Sequence, residues 1–143
     1  MTNSTPYAAL AGGDTRVQIR TDTDIVVARQ KGRAMAAASN FAAAEATLIA
    51  TAISELARNI VLYAKTGEVV LRIVENGSRT GIRVVAGDQG PGIADLEQAM
   101  QLGYSTSGSL GLGLPGVKRL MDEFEIVSEP GKGTCVTVLK WRT

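Results

Sequence analysis

Histidine is missing from all 143 residues. Its absence removes the Ser-His and Cys-His nucleophilic arrangements and the usual zinc sites, so any general base must be a carboxylate or a lysine. A single cysteine, Cys135, excludes an internal disulfide, and its place in an apolar alternating run suggests a plain buried thiol. Aromatic residues make up only 4%, which argues against a base-stacking surface. Charge of either sign is not in excess: 15 basic against 14 acidic side chains leave +1. Such a balance gives no field for nucleic acid or an anionic membrane, and neither is expected as a partner. No run of ~20 apolar residues exists, because Ser39, Asn40, Glu45, Thr47 and Thr51 interrupt the alanine-rich segment from Ala34 to Ala52. The first residues carry no basic stretch leading into an apolar one, so a signal peptide is not expected and a cytoplasmic location is.

The length suits one domain with its own core. Residues 1–14 are small and polar and read as a disordered tail, leaving 15–143 as the folded unit. Thr15 to Thr21 alternates, with Val17 and Ile19 on one face, and predicts a short strand. Asp22 or Thr23 can cap a helix running to about Ser39, whose Arg29, Lys31 and Arg33 read as a solvated face. A second helix is expected from about Phe41 to Ala64, with Leu48, Ile49, Ala52, Ile53, Leu56 and Ile60 at helical spacing. Glu68 to Glu75 and Gly81 to Ala86 predict a hairpin around Asn76-Gly77. A short helix over Ala94 to Gln101, with Asp95 near its start, and a helix over Leu114 to Phe124 follow. The chain closes on a second hairpin, Glu125 to Ser128 and Thr134 to Trp141, with Trp141 expected to pack on the sheet. The fold class implied is α+β: a two-layer sandwich of a mixed, largely antiparallel sheet with helices on one face.

Four stretches carry chemistry. Glycine supplies five of the fourteen residues from Gly103 to Gly116, directly ahead of a helix. A packed core gains nothing from so much glycine, whereas bare amides before a helix suit a phosphate. The plain alternative is a mobile loop and a helix start. Glu55 and Asn59 lie four apart on one helix face. A carboxylate beside an amide oxygen suits a hydrated magnesium ion or a general base near a phosphoryl group, and otherwise an exposed face with a Glu55–Arg58 pair. Asp88-Gln89-Gly90-Pro91-Gly92 ends a strand, where an aspartate could accept from an exocyclic amine, or where the chain simply turns. Gly131-Lys132-Gly133-Thr134 reads as a hairpin turn at the least.

In order and context, these four resemble the motifs of the GHKL ATPase and kinase superfamily, whose ATP site is the Bergerat fold. Glu55/Asn59 is similar to its N box, Asp88-x-Gly90-x-Gly92 to the next glycine box, Gly108-x-Leu110-Gly111-Leu112-Gly113-Leu114 to its lid, and Gly131-x-Gly133-Thr134 to its closing motif. The likeness spans about residues 15 to 142. Short length and the runs Ser54 to Ile60 and Gly111 to Asp122 look most like the stand-alone serine/threonine kinases of bacterial partner-switching systems, with anti-sigma-factor kinases as the competitor. The resemblance implies ATP and Mg²⁺ as cofactors. It implies that Asn59 holds the metal and that Glu55 orients or deprotonates an attacking hydroxyl. Asp88 would read the adenine amine with support from Thr134, and Gly90 and Gly92 would admit base and ribose. Gly108, Gly111, Leu112 and Gly113 would close a lid over the phosphates, with Ser105 to Ser109 ordering when nucleotide binds. Arg58 and Lys118 would offset phosphate charge or remain solvated. Implied partners are STAS-domain proteins and a downstream phosphatase or other output protein.

Overall fold

The computed structural model describes residues 13–100 and 113–143. Most of the expected tail, and the lid positions Gly108, Gly111 and Leu112 together with Ser105 to Ser109, therefore lie outside the described residues.

Five strands form one sheet in the order β1-β2-β3-β5-β4, with β1 at Thr15–Ile19, β2 at Gly67–Asn76, β3 at Arg79–Asp88, β4 at Glu123–Glu129 and β5 at Gly133–Trp141. Every neighbouring pair is antiparallel. Period-two alternation turns Val17, Ile19, Val69, Leu71, Ile82, Val84, Val136 and Val138 to one buried face. Against that face lie α1 (Asp22–Ala38), α2 (Ala43–Asn59) and α4 (Gly113–Leu120); the four-residue α3 (Leu96–Ala99) stands nearer the site. Ile49, Ile53 and Leu56 fill the layer between α2 and the sheet, each such side chain contributing roughly 1.5–3 kcal/mol on burial. Gly32 lets α1 approach α2: a Cβ there would meet Ile53 Cδ1 at 2.1 Å.

Element boundaries depart from expectation in three places. The cap of α1 is Thr21, not Asp22 or Thr23, because Asp24 Oδ2 accepts from the Thr21 and Arg20 N–H groups at 3.1 and 2.8 Å. The long helix does not stay α to Ala64. After Asn59 it widens into a π turn over Ile60–Ala64, closed by the Lys65 N–H donating to the Ile60 carbonyl at 2.8 Å. Apolar spacing continues smoothly through Ile60 and Val61, so nothing in the pattern marks the change. The last helix stops at Leu120, and Phe124 belongs to β4, where it pairs with Val138.

The outer sheet face changes two side-chain expectations in opposite ways. Cys135 is exposed rather than buried, because Val136 and Val138 take the inward positions of β5. Trp141 does pack on the sheet: its ring lies over Gly81, and the Arg79 guanidinium stacks on it 3.9 Å from the centroid.

Candidate active site

A cavity of about 400 Å³ opens between α2 with its π turn, the ends of β3 and β5, and the start of α4. That volume lies in the range of small-molecule sites. Glu55, Asn59, Asp88, Gly92, Gly113 and Thr134 all line it, and Ile60, Ala86, Ile93 and Val136 supply apolar wall. Residues spread over 80 positions of chain thus reach one space. Gly90 stands just behind the wall.

Glu55 projects from a helix flank that α4 covers, so it is buried and not on an exposed face. Its Oε2 accepts from Arg58 Nη1 at 2.9 Å, and its Oε1 accepts from the Gly113 N–H at 3.3 Å. One turn on, Asn59 is half-buried at the cavity, and its amide makes no hydrogen bond with another described residue. No group of three His, Cys, Asp or Glu that could hold a metal occurs among the described residues. A free amide oxygen beside space for phosphates nevertheless fits Mg²⁺, which takes few protein ligands and keeps waters and phosphate oxygens around it.

Asp88 ends β3 opposite Thr134 of β5. Its Oδ1 accepts from the Gly90 N–H at 2.8 Å, while Oδ2 has no partner among the described residues. An acceptor oxygen is thereby presented to the cavity in fixed orientation. Thr134 does not touch Asp88 through its hydroxyl, which lies 2.8 Å from Ser128 Oγ. Ser128 in turn accepts from the Ile93 N–H at 2.8 Å and donates to the Gly133 carbonyl at 3.2 Å. Ser128 thus joins the strand end, the cavity wall and Thr134, a role that a lone serine in an alternating strand does not announce.

The glycines of this corner are required by protein neighbours. A Cβ on Gly90 would meet the Ala64 Cβ at 2.5 Å, so the π turn seats directly on the Asp88 turn. Gly92 has φ +77°, and a Cβ there would meet the Glu129 carbonyl at 2.2 Å. Gly133 has φ +111° and faces the Asp88 carbonyl at 2.1 Å in the same sense. These close approaches hold the Asp88 turn against both its flanks.

A family model described as the histidine kinase-like ATPase domain matches residues 19–140. The chain is similar to the serine/threonine-protein kinase RsbT of Bacillus subtilis (strain 168), at 51% identity over 87% of this chain and 94% of that protein. It is also similar to the anti-sigma F factor of Thermoanaerobacter sp. (strain X514), at 35% identity over 65% of this chain and 68% of that protein. Among solved structures, its fold resembles that of the RsbU and RsbW domains of Rv1364c from Mycobacterium tuberculosis, with a TM-score of 0.64 and 19% identity. That match covers 91% of this chain and 33% of the longer one, and at such identity the likeness is one of fold alone. One antiparallel sheet under helices, a cavity built from the expected boxes, and a family match from the first strand to the last lead to one conclusion: the chain belongs to the histidine kinase-like ATPase domain family.

Proposed function

We propose a specific reaction for this serine/threonine kinase: transfer of the ATP γ-phosphate to a hydroxyl of a STAS-domain protein, within a bacterial partner-switching pathway. The single observation that carries the reading is the cavity in which Glu55 and Asn59 meet Asp88 and Gly113. Asp88 Oδ2 would accept from the adenine amine, with the Gly90 N–H keeping the carboxylate in place. Ile60, Ala86 and Val136 would flank the ring, and Thr134 and Gly92 would close that side. Asn59 would hold Mg²⁺, whose chemistry is to neutralise the phosphate oxygens. Glu55 would take the proton of the attacking hydroxyl, in a chain with no histidine to do so. Gly113, with the lid positions Gly108, Gly111 and Leu112, would offer backbone amides to the phosphates. Catalysis of this kind is mostly positioning and charge stabilisation.

The kinase would act in the cytoplasm; no helix among the described residues is long and apolar enough to cross a membrane. Released from its STAS partner, it would bind and activate a downstream phosphatase or other output protein. Incubation with γ-labelled ATP, Mg²⁺ and STAS-domain proteins should label a serine or threonine. Absence of both label transfer and ATP binding would sink the reading. The second reading is an anti-sigma factor that sequesters a sigma factor and phosphorylates its antagonist, favoured by the 35% identity to the Thermoanaerobacter protein. Pull-down from the native lysate separates the two, since recovery of a sigma factor supports only the second.

A further inference from the structure

Arg58 lies at the cavity but three residues along α2 from Glu55, and the two form an ion pair of unequal exposure. The Arg58 side chain is 40% exposed and that of Glu55 only 10%. An exposed pair at this spacing contributes little, because water already solvates both ends. Here the carboxylate is buried, so its oxygens depend on the protein groups that donate to them. Among the described residues those groups are two, one for each oxygen: Arg58 Nη1 at 2.9 Å on Oε2, and the Gly113 N–H at 3.3 Å on Oε1. They differ in kind. The guanidinium is permanently charged and belongs to the same rigid helix, whereas the amide is a longer contact to the first residue of α4. The first is suited to persist through a reaction and the second to be exchanged.

We propose that Arg58 is a positioning residue for Glu55: its ion pair retains Oε2 and leaves Oε1 as the atom that receives the substrate proton. The proposal rests on the general-base reading of Glu55 given above. In the transfer, the hydroxyl O–H bond breaks and its proton passes to Glu55 Oε1. The oxygen forms a bond to the γ-phosphorus, and the bond from that phosphorus to the bridging oxygen breaks, ADP keeping the electron pair. An incoming hydroxyl donates to Oε1 in place of the Gly113 N–H. Without Arg58, either oxygen could turn to the cavity or away from it, and the carboxylate would lose its fixed orientation. ATP, held by other groups, would bind as before.

The test combines Arg58→Ala, Arg58→Gln and Arg58→Lys with Glu55→Gln, singly and paired. Affinity is read with a fluorescent ATP analogue, and kcat and KM with γ-labelled ATP and a STAS-domain acceptor that the native chain phosphorylates. Arg58→Ala and Arg58→Gln should lower kcat by about 10- to 100-fold, within the range of general-base catalysis, with nucleotide affinity within about twofold of native. Arg58→Lys should restore most of the rate, and none of the three Arg58 variants should slow Glu55→Gln further. The Gln and Lys variants preserve much of the side-chain bulk, so the comparison survives if Arg58→Ala does not fold. Loss of nucleotide affinity in step with kcat would make Arg58 a phosphate ligand and overturn the proposal. A Glu55→Gln defect beside Arg58 variants of native rate would overturn it alone. Undiminished transfer by Glu55→Gln would remove the general base, and this proposal with it.

Discussion

At the scale of single residues, the site turns on a few atoms with no slack. Asp88 faces two donors in the proposed complex, the Gly90 N–H and an exocyclic amine. Asparagine has one acceptor oxygen, so Asp88→Asn must leave one donor facing an NH₂ group. A lost hydrogen bond to a charged acceptor is worth about 1.5–3 kcal/mol, so ATP affinity should fall about 10- to 100-fold. Titration with a fluorescent ATP analogue checks this, and native affinity would remove Asp88 from nucleotide recognition. Glycine positions separate local strain from packing. Gly77 and Gly92 both have positive φ, but a Cβ on Gly77 meets open space and one on Gly92 meets the Glu129 carbonyl. Gly77→Ala should therefore lose only the cost of backbone strain, about 1 kcal/mol, and Gly92→Ala about twice that or more. Urea midpoints of the two variants decide it, and equal losses would show that the Glu129 turn yields freely.

At the scale of elements, both long helices begin in the same way. Asp24 reaches back to the Thr21 N–H of α1, and Glu45 to the Ala42 N–H of α2. Hydrogen bonds from the Arg20 and Thr21 N–H groups hold the Asp24 carboxyl below its ordinary pKa. Burial works to raise that of Glu45, but donors from Thr143 and Ala42 outweigh it and the net shift is also downward. A folded pKa below the unfolded one means stability that is complete above the unfolded value and lost as pH falls through the folded value. Melting temperature should therefore decline through the acid range, and Asp24→Asn should make that decline shallower; an unchanged slope would show that the cap carries no charge-dependent stability. Elements were the level most legible in the sequence. Alternation in β2, β3 and β5 and the Leu56 stripe gave each element's type, because burial of one face enforces its period. What escaped were junctions. The π turn depends on Ala64 meeting Gly90, and the end of α4 on β4 pairing with β5, and both are set by contacts distant in sequence. Four boxes and the Glu55–Arg58 spacing were legible, while the burial of Glu55 beside α4 and the part played by Ser128 were visible only once strand ends and helix flanks stood together.

At the scale of the whole molecule, the cavity joins α2, the π turn, β3, β5 and α4, so a ligand that fills it ties both layers of the fold together. Mg–ATP at 100 times its dissociation constant should stabilise the native chain by about 2.7 kcal/mol, read as a rise in melting temperature. Asp88→Asn should lose about half of that rise or more at the same ATP concentration, and a full rise would place the stabilising site elsewhere. One further property follows from the outer sheet face. Cys135 is the chain's only thiol, sits opposite Gly87 in register, and is preceded by Thr134, which pairs with Asp88. Partial desolvation raises its pKa, so a maleimide dye would attach slowly at neutral pH and faster in mild alkali. A fluorophore coupled there would sit on β5, beside the end of β3 that carries Asp88, and outside the residues that line the cavity. The native chain thus offers a single attachment point for a dye beside the proposed nucleotide site, with no cysteine to add and none to remove.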